Sequence, residues 1–162
     1  MVSLSTPLSL YAIPLMWIIT YYPAYAKSAL IKRVAGFNNV QPRGNPARLE
    51  KKGVPPEILA RLQRIEGAHN NGLESLPFFG LAVLAGNYAG MDTASLNVAS
   101  GLYLVWRVIY NYIYFNQSSQ KTAGLRTITW ASSMLFPFYI YIKSASLVIA
   151  KAALSDGTVR IQ

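Results

Sequence analysis

The distribution of charged side chains is the feature that most limits what this chain can fold into. Residues 1–26 carry no charged side chain, and the nineteen residues from Leu8 to Ala26 are predominantly apolar. A helix of that length crosses the hydrocarbon core of a bilayer. A signal peptide normally begins with basic residues, which are missing here, so we interpret this segment as a first membrane-spanning helix.

Two prolines, Pro14 and Pro23, lie inside this first segment. Each removes a backbone N–H and would bend a helix of a soluble protein sharply. Helices within a membrane tolerate proline because groups on neighbouring helices satisfy the carbonyl that it frees. The prolines are therefore compatible with a spanning helix.

Three further segments are nearly free of charge. The second begins after Pro55-Pro56 and has no charged residue from Ser75 to Met91, and the third contains only Arg107. The fourth contains Arg126 near its start and Lys143 near its end. We expect spans at about 8–31, 56–89, 94–115 and 125–150. The fold predicted is an all-α, integral membrane four-helix bundle that forms one domain over residues 1–162.

The overall composition agrees with a membrane protein. Only 13% of the residues are charged, about half the share of an ordinary soluble domain. Lysine and arginine number 15 against 6 acidic residues, and this combination of apolar and basic character favours a lipid bilayer over nucleic acid as partner. The chain has no cysteine, and its one histidine, His69, cannot form a histidine cluster for a metal.

The basic residues also predict an orientation. Nine of the fifteen lie between Lys27 and Arg64, in a segment interrupted by prolines and glycines, and Lys121 lies in a second polar loop at 116–124. Basic loops face the cytosol according to the positive-inside rule. We therefore expect both loops on the cytosolic side and both chain termini on the opposite side.

Polar residues form stripes near the cytosolic ends of the last three spans. At about 100° per residue, Arg64, Asn71 and Glu74 project within about 80° of one another. A second stripe has helical spacing on the third span, and a third begins the fourth span. These stripes consist of Arg107, Tyr110, Asn111 and Tyr114, and of Arg126 and Thr127. Together they predict a pocket for an anionic ligand from the cytosol, with an apolar reactant entering from the lipid.

A structural interpretation of the same stripes stays open. Glu74 and Arg107 would form an ion pair that holds the bundle together, Arg126 would extend to lipid headgroups, and the tyrosines would form an interfacial belt. No Ser/His/Asp set, glycine-rich phosphate loop or paired-carboxylate motif accompanies the stripes. Hydrolase and kinase functions are therefore not supported.

The run from Arg64 to Phe79 resembles the second-helix signature of the MAPEG proteins, the membrane-associated proteins of eicosanoid and glutathione metabolism. A basic residue, Ala, Asn, Glu and Pro-Phe recur there at this spacing. The segment Asn39-Val-Gln-Pro42-Arg43 resembles the Asn-Pro-Arg loop of the bacterial and fungal branch. Arg107 to Tyr114, followed by Arg126, resembles the Arg, Tyr and Arg of the third and fourth helices, so the match covers nearly the whole chain.

This resemblance implies a homotrimer in the membrane of the endoplasmic reticulum, with glutathione bound in a U-shape between protomers near the cytosolic face. Glu74 would take the amino group of glutathione, Arg126 would stabilise its thiolate, and Lys32 or Arg33 would reach in from the adjacent protomer. The catalytic residues implied are Arg126, Thr127 and Tyr114. Those implied in glutathione binding are Arg64, Asn71, Glu74, Arg107, Tyr110 and Tyr114.

The activity implied is that of a microsomal glutathione transferase-like enzyme, a transferase, peroxidase or isomerase that acts on a lipophilic electrophile. One position departs from the family pattern, because Gly67 stands where glutathione-using members carry an arginine that grips a carboxylate. Losing that bond would cost about 1.5–3 kcal/mol. Two alternatives therefore stay open: a glutathione-independent isomerase or cyclase of a hydrophobic metabolite, and a non-catalytic lipid-binding scaffold. In the first alternative, Tyr110, Tyr114, Glu74 or Arg126 would move protons.

Overall fold

The computed structural model describes residues 6–155, and this part of the chain contains helices and no strands, which confirms the expected all-α class. The terminal segments 1–5 and 156–162, which the sequence analysis included in the domain, lie outside the described residues. The helices are α1 (Ala12–Ala35), α2 (Asn45–Lys51), α3 (Pro56–Ala89), α4 (Thr93–Asn116) and α5 (Gln120–Ser155).

The start of α5 differs from the expectation for the loop at 116–124. Only residues 117–119 separate α4 from α5, so the predicted polar loop is mostly helical. The hydroxyl of Ser119 accepts from the backbone N–H of Thr122 at 3.3 Å, and the Thr122 hydroxyl accepts from the Ser119 amide at 3.1 Å. These local bonds begin a helix in polar sequence, a signal that apolar content alone does not detect.

The basic segment that follows α1 folds against the end of that helix. Helix α1 ends before Gly36, whose φ is 71°, and the guanidinium of Arg48 in α2 donates to the carbonyls of Ala35, at 3.2 Å, and of Gly36. Asn45 is fully buried, and its amide donates to the carbonyls of Asn38 and Pro42. The segment expected to be a loop therefore contains a short helix that caps α1.

The opposite end of the bundle has its own caps. Asp92 accepts from the amide and the hydroxyl of Ser95, each at 2.8 Å, and these bonds hold the pKa of Asp92 below its usual range. Lys151 near the end of α5 donates to the carbonyl of Ala89, the last residue of α3, at 2.7 Å. The Asp92 bonds thus cap the start of α4, and the Lys151 bond fixes α5 to the end of α3.

Glycines allow the long helices to approach closely. A Cβ on Gly72 would lie 2.9 Å from the Thr20 side chain on α1, and one on Gly86 would lie 2.7 Å from Leu96 on α4. Small residues at helix crossings are typical of membrane bundles, in which backbones pack closely. Beside these crossings Phe79 and Tyr103 stack in the core with ring centroids 4.1 Å apart.

The proline within α1 is compensated by neighbouring helices. Because Pro23 has no N–H, the carbonyl of Ile19 has no donor within its own helix. Asn111 of α4 donates to that carbonyl at 3.1 Å, and Nδ1 of His69 on α3 lies 2.8 Å from the next carbonyl, that of Thr20. A carbonyl only accepts, so His69 is the donor in this pair. The expectation that neighbours satisfy the carbonyl freed by proline is confirmed for Pro23.

One helix in the described part of the chain, Gln120–Ser155, is long and apolar enough to cross a membrane by length and composition. The exteriors of all four long helices nevertheless carry large exposed apolar side chains. They include Leu15, Trp17 and Ile18 on α1, Leu81 and Leu84 on α3, Val105 and Val108 on α4, and Leu135, Phe138 and Ile142 on α5. So much apolar surface requires a covering of lipid or protein.

Replacing Asn111 with leucine should lower the free energy of unfolding by about 1–3 kcal/mol, because the Ile19 carbonyl loses its donor inside the bundle. In a Pro23→Ala background the loss should be smaller, because alanine restores a backbone N–H to that carbonyl. Unfolding in detergent micelles measures both. Asn116→Leu is the control, since Asn116 is exposed and its side chain, among residues 6–155, donates only to the Tyr112 carbonyl of its own helix. An equal loss in both backgrounds would contradict the proposed compensation.

Candidate functional site

A cleft of about 370 Å³ opens between α3, α4 and α5 toward the end of the bundle that carries the basic segment. Six of the residues that the sequence analysis assigned to a site meet there. They are Asn71 and Glu74 from α3, Tyr110 and Tyr114 from α4, and Arg126 and Thr127 from α5. The remaining lining residues are Gly67, Asn70 and Trp130.

The aromatic and cationic side chains of the cleft stack on one another. The guanidinium of Arg126 lies over the ring of Tyr114, 4.6 Å from its centroid. Tyr114 in turn meets Tyr110 edge-on, with centroids 5.6 Å apart. A cation over a phenol ring is attracted by the negative face of the ring, so Tyr114 holds Arg126 at the cleft wall. Arg126 therefore lines the cleft in the protomer, and its extension to lipid headgroups, which the structural interpretation expects, stays a prediction.

The position of Tyr114 depends on the absence of a side chain at Gly67. A Cβ added to Gly67 would overlap the Tyr114 hydroxyl and lie 2.9 Å from Cζ of the same ring. The phenol thus crosses the cleft and rests against the backbone of α3. An arginine at position 67 and Tyr114 in this position exclude each other.

Arg107 does not line the cleft. It is 1% exposed, and its Nη2 donates to Oδ1 of Asn71 at 2.9 Å, while its guanidinium lies 4.7 Å from the ring centroid of Tyr110. In the protomer Arg107 therefore lies behind Asn71 and does not face the cleft, and its expected role in ligand binding stays a prediction. Helical spacing placed it on the correct face, but spacing along a helix does not reveal how deep a side chain is buried.

The expected ion pair between Glu74 and Arg107 is also absent. Within residues 6–155 the only ion pair shorter than 4 Å joins Lys27 to Glu66, at 2.6 Å. Glu74 is exposed at the cleft, so its carboxylate is accessible to a ligand. Arg107 donates instead to the side-chain amide of Asn71, whereas the structural interpretation expected it to pair with the Glu74 carboxylate.

Three basic residues of the sequence prediction do not line the cleft of their own protomer, and two of them, Lys32 and Arg33, were expected to reach the cleft of an adjacent protomer. Arg64 lines a separate depression of about 380 Å³ with Gln117, Ser118 and Gln120, at the junction of α4 and α5. Lys32 and Arg33 are exposed in the last turn of α1. Arg64 therefore lines this depression and not the cleft, and its expected role in glutathione binding stays a prediction.

Two lining residues, Asn70 and Trp130, were not predicted. Trp130 lies one helical turn after Arg126, the i to i+4 spacing that places two side chains on one face. Extending the α5 stripe by one turn would have found it. Asn70 precedes Asn71 and gave no separate signal, because adjacent helical residues project about 100° apart.

The cleft combines groups of opposite chemical character. Glu74 offers an accessible carboxylate, and Arg126 offers a cation next to the phenol of Tyr114. The Thr127 hydroxyl donates to the carbonyl of Ala123 at 3.2 Å. This arrangement suits a zwitterionic ligand whose cationic group meets Glu74 and whose anionic group lies near Arg126.

The sequence model of the MAPEG family matches residues 4–146. The match includes every residue that lines the cleft. No curated protein and no solved structure matches the chain.

Replacing Gly67 with alanine should displace Tyr114 and lower the thermal midpoint, because overpacking typically costs about 1–3 kcal/mol. The tyrosine signal in near-ultraviolet circular dichroism should change as well. Gly101→Ala is the matched control, since a Cβ there would have no described atom within 4 Å apart from its chain neighbours and the nearby backbone of its own helix. A Gly67→Ala protein that unfolds like the control, with an unchanged tyrosine signal, would contradict the assigned contact.

Proposed function

Because the chain belongs to the MAPEG family, we propose that it is a membrane-embedded, glutathione-dependent transferase, peroxidase or isomerase that acts on a lipophilic electrophile. The family contains membrane proteins of glutathione and eicosanoid metabolism, and it includes glutathione transferases as well as members without enzymatic activity. The enzymatic alternative is favoured here by the groups that line the cleft.

The observation that carries this proposal is that Glu74 and Arg126 line the same cleft. The accessible carboxylate of Glu74 suits the ammonium group of glutathione, and the adjacent amide of Asn71 suits its peptide backbone. When bound, glutathione supplies the thiol that a cysteine-free chain lacks. The Arg126 guanidinium favours a thiolate over a thiol, as a nearby cation does for any acidic group.

The other cleft residues have supporting roles in this proposal. Tyr114 holds Arg126 in position through the ring contact and offers its hydroxyl as a hydrogen-bond donor. The Thr127 hydroxyl is engaged with Ala123, so it can donate to a ligand only after it rotates. Arg126 and Tyr114 therefore carry the catalytic assignment, and Thr127 is secondary.

We propose further that the four long helices span the membrane of the endoplasmic reticulum with the basic segment in the cytosol. The apolar exteriors of α1, α3, α4 and α5 support this placement, because such surfaces are stable in contact with lipid. A hydrophobic substrate would then reach the cleft from the bilayer and a water-soluble thiol from the cytosol. Trp130 at the cleft wall, 40% exposed, offers an apolar contact to such a substrate.

A homotrimer completes the proposal. Glu74, Thr127 and Trp130 are exposed in the single protomer, so one side of the cleft is open. A neighbouring copy would close that side and add basic groups such as Lys32 or Arg33 from the end of its α1. Closure would also exclude water and strengthen the electrostatic contacts of Arg126.

One observation favours a second candidate, a glutathione-independent isomerase or cyclase of a hydrophobic metabolite. The phenol of Tyr114 occupies the space beside Gly67 where an arginine side chain would have to start. Such an enzyme would use Glu74 and the tyrosines to move protons. Titration calorimetry with glutathione separates the candidates: millimolar or tighter binding supports the first, and turnover in the complete absence of thiols supports the second.

Replacing Arg126 with alanine should reduce conjugation of glutathione to a chlorodinitrobenzene by about a hundredfold, the usual loss when a group that stabilises an anion is removed. The oligomer should remain intact in detergent, as measured by light scattering. Lys121→Ala is the matched control, because it removes an exposed cation from the same helix outside the cleft. Normal activity of the Arg126→Ala protein would refute the role of Arg126. Failure of the wild-type protein to bind glutathione would refute the proposed function.

A further inference from the structure

The buried guanidinium of Arg107 determines which end of the Asn71 amide faces the cleft. Nη2 of Arg107 donates to Oδ1 of Asn71 at 2.9 Å. A guanidinium has donors and no acceptor, so the atom that faces it has to be the amide oxygen. Asn71 is half-buried and lines the cleft. Its NH₂ group is therefore the end that it can present to a ligand.

The rest of the Asn71 environment preserves this orientation. The backbone carbonyl of Asn71 accepts from the hydroxyl of Ser75 at 2.6 Å, which involves no side-chain atom of Asn71. Within residues 6–155, the bond from Arg107 is the one hydrogen bond made by the Asn71 side chain. No described residue therefore competes with a ligand for the NH₂ group.

Arg107 itself is in an energetically demanding position. It is 1% exposed, and no carboxylate among residues 6–155 lies within ion-pair distance of it. Its Nε and Nη1 atoms are buried and have no hydrogen-bond partner in the described part of the chain. A buried cation without a counter-ion is costly and suggests a functional role. Its one side-chain hydrogen bond within the described residues is the one that Nη2 donates to Oδ1 of Asn71.

We infer that Arg107 is a positioning residue that makes Asn71 a hydrogen-bond donor toward the ligand. The cleft then recognises an acceptor, such as a peptide carbonyl or a carboxylate, at Asn71. Glu74, one turn further along the same face of α3, recognises a donor. The inference rests on the proposed function only in taking glutathione as the peptide that supplies these groups.

Asn71→Asp tests the orientation, because it keeps the oxygen that faces Arg107 and replaces the NH₂ group with a second oxygen. An ion pair with Arg107 should raise the thermal midpoint by about 2–4 °C. The loss of the donor should weaken glutathione binding by about tenfold or more, measured by calorimetry. A purely structural role for the contact would not make the protein more stable and a poorer binder at once.

Asn70→Asp is the matched control, since it adds the same charge to the same cleft without contacting Arg107. It should leave the thermal midpoint unchanged or lower it, and it should weaken binding less than Asn71→Asp does. Glutathione affinity in Asn71→Asp within twofold of wild type would overturn the inference. So would a thermal midpoint no higher than that of the control. If the wild-type protein binds no glutathione, the proposed function fails, and the comparison of thermal midpoints still decides the orientation of Asn71.

Discussion

The structure depends on hydrogen bonds that join particular polar groups inside the bundle to neighbouring helices. Water cannot satisfy a buried carbonyl or guanidinium in apolar surroundings, so each one constrains how the helices pack. Asn111 fixes α4 against the carbonyl that Pro23 frees in α1, and His69 fixes α3 against the next carbonyl. A further hydrogen bond joins Arg107 of α4 to Asn71 of α3. These contacts set the relative rotation of α1, α3 and α4, and with it the shape of the cleft.

The arrangement of side chains in the cleft depends on the absence of a side chain at Gly67. Gly67 lets the phenol of Tyr114 rest on α3, and the ring then supports Arg126 from α5. Three helices therefore meet through one glycine, one phenol and one guanidinium. The phenol and the guanidinium take part both in the packing of the bundle and in the proposed chemistry, so packing and function impose a common constraint on this region.

The sequence predicted the positions of the long helices better than the interior of the site. Charge-free segments are long and unambiguous, so the helical regions followed directly from the spacing of charged residues. Helical periodicity then placed Asn71, Glu74, Tyr110 and Tyr114 on the correct faces. It could not distinguish buried Arg107 from accessible Arg126, because depth depends on the packing of the other helices. The start of α5 was missed for a different reason, since polar caps rather than apolar residues determine it.

The charges at the cleft connect the proposed ligand with the proposed oligomer. Among the lining residues, Glu74 is the one acidic group and Arg126 the one basic group, so the cleft of a single protomer has no net charge. Glutathione carries two carboxylates and one ammonium group at neutral pH, and Glu74 can balance only the ammonium.

With Gly67 in place of an arginine, the carboxylates of glutathione need cations from outside the cleft. The basic groups that end α1, Lys32 and Arg33, are exposed, and their side chains form no ion pair within residues 6–155. Under this proposal, the departure at Gly67 therefore makes glutathione binding depend more strongly on a neighbouring copy of the chain.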